Sequence, residues 1–331
     1  MPVIVVGRKG NAGSVQLFMD PIWPTDTTYF LEVPEGLDPR FLAHQLTHLQ
    51  LGGMDRSTAI PSLQRGDLKE TEIVLPPLSE QETLVAAIEE EFSRIEAAAA
   101  LVTHAEMKIT RWKAAYLGCA LRADQDGWTT AELGQLISNA RYGTSARSVR
   151  SDEGIPVLRI PNIQRGRVDF SDLKVIAEPS VNLKSAWASP GDVLTVRSNG
   201  SRSLIGRAAA VPQLDRRVAF ASYLIALTPL PGALLPEFLA LALEGPDCRA
   251  QLETMAASTA GQYNLSAAKL RRVRLSLPPL AEQHAIVAQL RDAAVSTDAV
   301  TRAISRTLGR AGSLRHAILE QAFSGVWADA A

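Results

Sequence analysis

The segment Leu75-Pro76-Pro77-Leu78-Ser79-Glu80-Gln81 returns, almost unchanged, as Leu277-Pro278-Pro279-Leu280-Ala281-Glu282-Gln283, an offset of 202. The likeness extends upstream. Pro39-Arg40-Phe41-Leu42 echoes Pro236-Glu237-Phe238-Leu239 at an offset of 197, and Val6-Gly7-Arg8-Lys9-Gly10 roughly echoes Val196-Arg197-Ser198-Asn199-Gly200 at 190. Three matches in one order are an internal duplication, and the shrinking offset makes the second copy longer in its loops. A chain of 331 residues, 46% of them hydrophobic, is long enough for two or more such cores.

Each repeat predicts an extended segment turning into a long helix. Leu-Pro-Pro-Leu stops the extended run, because proline lacks a donor and pushes its predecessor out of the helical region. Ser79 is the expected cap, and Glu80 and Glu82 in the first turn suit the helix dipole. Ile88, Ile95, Val102, Ile109 and Tyr116 then fall seven apart, with Leu84, Ala98, Ala105 and Trp112 as the companion row. In the second copy Leu290, Ile304 and Ile318 form one row and Ile286, Val300 and Leu314 the other. These heptads predict a coiled coil, antiparallel when both helices belong to one chain; the competing reading is two unrelated surface helices. A helix of about 40 residues is about 60 Å long.

Between the helices, residues 128–280 read as a separate α+β unit. Strands are expected at Ile155–Ile160, Asp192–Arg197 and Ala219–Leu227, separated by Gly, Asn and Ser turns. A helix is expected from Pro236 to about Leu252. Residues 1–78 match only the latter part of this unit, since nothing in them resembles residues 128 to about 190.

The whole-chain charge of −1 conceals an uneven distribution. Residues 1–78 carry 6 basic and 9 acidic side chains, residues 79–127 carry 5 and 9, and residues 280–331 carry 5 of each. Residues 128–279 carry 18 basic against 12 acidic, a net of +6. Arg141, Arg147, Arg150, Arg159, Arg165, Arg167, Arg197, Arg202 and Arg207 dominate that excess. The guanidinium fork fits phosphate and the guanine edge, so the bias points to duplex nucleic acid. A solvated basic face would give the same count, but interleaved amides and tyrosines favour base reading. The candidate contacts are Arg141, Tyr142, Thr144 and Ser145 in a presumed loop where Gly143 permits close approach. Arg159 and Asn162 follow at a strand end, then Arg197 and Asn199 in a polar turn. Gln262 and Tyr263 come after the small-residue stretch Ala256–Gly261, read as a flexible loop. For each, an ordinary turn or a packing anchor is the competing reading.

Catalytic chemistry is not evident. There is no phosphate-binding Gly-x-x-x-x-Gly-Lys-Ser/Thr loop, and Gly7-Arg8-Lys9-Gly10-Asn11-Ala12-Gly13 has the wrong spacing for a dinucleotide fingerprint. His44 and His48 stand four apart without the Glu of a zinc-protease helix. No Gly-x-Ser-x-Gly elbow and no Asn/Asp-Pro-Pro-Tyr/Phe methyltransferase tetrapeptide occurs. No cofactor, no metal and no catalytic residue is expected. Cys119 and Cys248 alone argue for a reducing cytoplasm, and no apolar run reaches the about 18 residues of a membrane span.

Gly127-Trp128-Thr129-Thr130-Ala131-Glu132-Leu133-Gly134, Asp192–Gly200 and the doubled Pro-Pro-x-x-Glu-Gln helix entry together resemble the specificity subunit of type I restriction–modification systems. The resemblance runs over essentially the whole chain. It implies a non-catalytic, DNA-binding subunit that selects the target sequence for partner methyltransferase and restriction subunits. It implies mixed α/β target-recognition domains joined by an antiparallel pair of long helices that recruits two methyltransferase subunits. Residues 128–280 are then a complete recognition domain, with 79–127 and 281–331 as spacer helices. Residues 1–78 are the C-terminal part of a first domain, about 60 residues short of the family pattern, which a second chain could complete. A relative that binds methyltransferase through its coiled coil without reading DNA is the alternative. Ile88, Ile95, Val102, Ile109, Leu290, Ile304 and Leu314 are the seam, and Trp112, Phe323 and Trp327 are candidate partner anchors.

Overall fold

A computed structural model describes residues 2–54, 62–122, 127–164, 166–177, 183, 185–259 and 261–329. In chain order it begins with strands β1 (Val3–Gly7), β2 (Val15–Phe18) and β3 (Thr28–Glu32) and helices α1 (Pro39–His48), α2 (Arg65–Lys69) and α3 (Leu78–Ala120). Then come β4 (Thr129–Glu132), α4 (Leu133–Leu136), β5 (Ile137–Tyr142), β6 (Ile155–Leu158), β7 (Ile163–Gln164), β8 (Gly166–Val168) and β9 (Lys174–Ile176). They are followed by β10 (Val193–Val196), β11 (Ser198–Asn199), β12 (Ala208–Ala210), β13 (Ala219–Phe220) and β14 (Leu224–Pro229). Helices α5 (Pro236–Glu244) and α6 (Pro246–Met255), strands β15 (Ala257–Thr259) and β16 (Gln262–Asn264), α7 (Ala267–Arg271), β17 (Arg274–Leu277) and α8 (Leu280–Asp329) complete it. The architecture is α+β with two long helices. Among the described residues no helix is long and apolar enough to cross a membrane. Contacts divide the chain into two compact units, residues 1–107 with 299–331, and residues 108–298.

In the first unit β2, β1 and β3 form an antiparallel sheet in that order. Ile4 and Val6 point to a core with Leu42 and Leu46 of α1, as strand alternation and helical spacing require. Phe41, on another side of α1, packs with Val85 and Ile88 of α3 and Leu319 and Phe323 of α8. Arg315 of α8 pairs with Glu96 and lies over the Phe92 ring, so α3 and α8 run antiparallel here.

The second unit is built on a six-stranded sheet ordered β5-β14-β10-β12-β8-β7. All four residues of β10, Val193, Leu194, Thr195 and Val196, are buried, which fits its mainly apolar sequence: a strand covered on both faces has no solvent-facing side. Helix α5 covers this sheet, and Ile286, Val287 and Leu290 of α8 join the same core. Asp298 of α8 accepts from Lys113 of α3 (3.2 Å) and from Arg167 beside the sheet (2.6 Å). Burial alone would raise its carboxyl, yet those two hydrogen bonds hold it below its ordinary value.

The duplicated motif acts through its glutamine. Gln81 and Gln283 are buried, and each side-chain amide donates back to a motif proline, Pro76 or Pro278. Each side-chain oxygen accepts the backbone N–H of Asp38 or Leu235, the residue just before α1 or α5 (2.9 Å in both). The long helix is thereby fastened to the short one in both units. The Pro77 and Pro279 carbonyls accept the first helical N–H groups, so Ser79 lies inside the first turn and is not the cap.

Other expectations shift. The strand foreseen over Ala219–Leu227 is broken at Ala221–Tyr223, where Ser222 N–H bonds out to Thr144 (2.7 Å). The helix from Pro236 divides at Gly245-Pro246, because Pro246 has no N–H to continue the ladder. Residues 257–259 form a strand paired with β16, not a flexible loop. In the coiled-coil rows Ile88, Leu290 and Ile304 are buried and Ile95, Val102 and Ile109 half-buried, but Leu314 is 54% exposed. The companion row is one position off in both helices. Half-buried Phe92, Ala99, Glu106 and Lys113 on α3, and Thr301, Leu308 and Arg315 on α8, occupy it, while Ala98, Ala105, Val300 and Leu314 are exposed. A heptad row can take its companions three before and four after it, or four before and three after; packing selects the former here, which leaves Val300 and Leu314, four before Ile304 and Ile318, on the flank.

Candidate nucleic-acid interface

The sequence-derived contacts separate into two groups. Arg141 and Tyr142 end β5 and are not in a loop. Arg141 turns inward: it pairs with Asp192, which is 1% exposed, and donates to the carbonyls of Ser185 (3.2 Å) and Trp187 (3.0 Å). Asp192 also accepts from Thr228 (2.7 Å) and the Ser189 N–H (2.9 Å). Arg141 is therefore engaged within the framework of the unit. Gly143 does permit a close approach, but of this chain: an added Cβ would stand 2.3 Å from the carbonyl oxygens of Phe220 and Ala221.

Asn162, 2% exposed, is likewise internal. Its side chain accepts from Arg159 N–H (2.9 Å) and donates to the Asp169 (2.9 Å) and Asp172 (3.1 Å) carbonyls, closing the turn after β6. Arg159 donates to the Asp172 carbonyl (3.0 Å) and carboxylate (3.4 Å). Both are engaged within this turn. Arg167 is held by Asp298, Arg202 donates to the Glu253 carbonyl (2.7 Å), and Arg165 lies outside the described residues. Much of the arginine excess thus holds the unit together.

What remains converges on one end of the six-stranded sheet. β5 and β10 finish there and the antiparallel β14 begins there, which brings Tyr142, Arg197 and Tyr223 together. The Arg197 guanidinium lies 5.0 Å from the Tyr142 ring centre and makes one long bond, to the Ser222 carbonyl (3.3 Å). Tyr142 is 42% and Tyr223 52% exposed. Beside them β11, β16 and β15 form a small sheet in which Asn199 pairs with Tyr263. Gln262 is exposed next to the turn at Gly261, Tyr263 leans on the main core, and Asn199 is half-exposed, its side-chain oxygen accepting from Ser201 N–H (2.7 Å). Thr144 accepts from Ala146 N–H (3.1 Å), a tight turn that presents Ser145 to solvent. Aromatic faces, a stacked guanidinium and free amide and hydroxyl groups are the chemistry that reads nucleic acid edges. Tyr223 was not singled out from sequence, because its strand reads as continuous through it.

Phe323, foreseen as a partner anchor, is fully buried with its ring 5.5 Å from that of Phe41. Trp112 is 46% exposed and stacks on Tyr116 at 4.9 Å. The Trp327 side chain lies outside the described residues.

The sequence model of the family described as "Type I restriction modification DNA specificity domain" matches residues 2–100 and 125–308. The chain belongs to this family. The type I specificity family chain is 23% identical over 300 residues to the type I restriction enzyme EcoKI specificity subunit of Escherichia coli strain K12, covering 86% of this chain and 65% of that relative's length. It is 22% identical to the EcoBI specificity subunit of Escherichia coli, covering 97% of this chain and 73% of the relative. A solved chain described as "Structural basis underlying complex assembly and conformational transition of the type I R-M system" has the same fold. The TM-score is 0.71 at 23% identity, over 97% of this chain and 81% of that one.

Proposed function

We propose that this chain is the DNA-reading, non-catalytic subunit of a type I restriction–modification complex, choosing the sequence on which methyltransferase and restriction subunits act. The observation that carries this reading is the cluster of Tyr142, Arg197, Tyr223 and Gln262 at one sheet end of a chain from this family. Residues 128–280 are the recognition domain, and the residues 79–127 and 281–331 are spacer helices that bind two methyltransferase subunits. Trp112 is the aromatic anchor for one of them.

Residues 1–78 are the latter part of a second recognition domain. Supporting this, Val3 and Val5 are half-exposed where the duplicated positions Val193 and Thr195 are fully buried, and Phe30 on the same face is 57% exposed. A segment equivalent to residues 128–192 would cover that face.

The test is selection from a randomised duplex pool by the chain with its methyltransferase partner. A single split motif is expected, with Gln262→Ala and Tyr223→Ala relaxing individual positions. Recovery of a stoichiometric protein complex that enriches no motif would leave only the partner-binding role.

A further inference from the structure

Resting on the DNA-reading proposal and extending it, we infer that Arg147, Arg216 and Arg217 form a phosphate-contacting ridge around Trp187, beside the reading cluster and separate from it in task. Arg217 is exposed, yet its guanidinium lies over the Trp187 ring, 3.8 Å from the ring centre. Stacking fixes one face of the fork and leaves its in-plane N–H groups unspent, the state in which a guanidinium grips a phosphate with least ordering cost.

The platform itself is rigid. Trp187 bridges Ala219 in a strand pairing, and its carbonyl accepts from the half-buried Arg141 (3.0 Å). Ala146 packs into the same apolar cluster as Trp187 and Ala219, which sets exposed Arg147 on the flank of the platform. Among the described residues neither Arg147, Arg216 nor Arg217 forms an ion pair, and the neighbouring Asp215 neutralises none of them. This contrasts with Arg141, Arg159 and Arg167, whose guanidinium groups are engaged by carboxylates. The backbone track from Tyr142 through Thr144, hydrogen-bonded to Phe220 (2.9 Å), joins this ridge directly to the reading cluster. A duplex seated on Tyr142 and Arg197 therefore meets three free cations one strand-end away. They bind backbone and carry no sequence information.

The test measures duplex affinity of the full chain from about 50 to about 200 mM salt and compares it with the Arg147→Ala/Arg216→Ala/Arg217→Ala variant. Each lost phosphate contact removes about 0.9 from the slope of log K against log salt, so the variant is expected to lose about 2 to 3 in slope. The motif enriched from a random pool should stay the same. Trp187→Phe, which keeps a smaller platform, should fall between the two. An unchanged slope with the motif retained overturns the ridge and spares the reading cluster. A slope reduced in the variant, with a wild-type chain that enriches no motif, upholds the ridge and overturns sequence reading. A wild-type chain that binds no duplex at the lowest salt overturns both.

Discussion

Arg141 and Arg197 lie on neighbouring parts of one sheet, and the sequence offers no means of telling them apart. Both read from the sequence as arginines of small polar turns or loops. What separates them is Asp192, whose buried carboxylate captures Arg141 through tertiary packing, while Arg197 has no carboxylate partner among the described residues and is held by the Tyr142 face and the Ser222 carbonyl. Removing one partner of a buried pair strands the other, so Arg141→Ala is expected to cost about 3–5 kcal/mol of stability in denaturant unfolding. Arg197→Ala should cost about 1 kcal/mol or less in that measurement. In duplex binding the order reverses, with Arg197→Ala losing about 1–3 kcal/mol. Equal stability losses for the two would contradict this division. Asn162 teaches the same lesson: its amide pattern suits adenine, but three backbone groups of its own loop take it first.

At the scale of elements, more was legible. The doubled Pro-Pro-x-x-Glu-Gln entry places the starts of both long helices to within a residue or two, because proline is a local signal, while α3 ends at Ala120, short of the expected 127. The row Ile88, Ile95, Val102 and Ile109 has reduced exposure along its length, since a seven-residue apolar spacing fixes one line on a helix. It does not fix which side of that line meets the partner. Alanine-rich α3 offers Ala98 and Ala99 equally, and packing alone chooses Ala99. The same ambiguity misplaces Leu314. Thermal or denaturant unfolding separates the two positions: Ile304→Ala should cost about 2–4 kcal/mol, and Leu314→Ala about 0.5 kcal/mol or less. A Leu314→Ala loss as large as that of Ile304→Ala would restore the flank row to the seam. Breaks such as Gly245-Pro246 were written in the sequence too, as a dipeptide that ends helices, whereas the break at Ala221–Tyr223 depends on Thr144, a residue from a distant segment.

Across the whole molecule the duplication is unequal in ionisable groups as well as in length. Of the five histidines, His44, His48, His104 and His316 belong to the first unit, and His284 in the second is exposed. His44 packs edge-on to Phe92 (5.5 Å), and burial pushes its pKa below the ordinary 6.5, with Glu89 and Asp38 opposing and Arg40 assisting. His48 stacks on Phe323 (5.4 Å), and burial followed by the charge of His316 lowers it too, against Glu320. Among the described residues neither the His44 Nε2 nor the His48 Nδ1 has a hydrogen-bond partner, so protonation in place gains no hydrogen bond there. The unfolded chain takes up these protons near 6.5 and the folded unit does not, so stability is full above that pH and declines as pH falls below it. Hydrogen exchange of the full chain, corrected for intrinsic rates, reads this by segment. Going from about pH 7.5 to about pH 5.5, α1 and strands β1–β3 should lose protection while β10 and β14 keep theirs. His44→Phe, which fills the same apolar site without a titrating nitrogen, should flatten the response. An acid-insensitive α1, or a loss shared equally by β10 and β14, would show that the first unit's stability does not depend on keeping these two rings neutral.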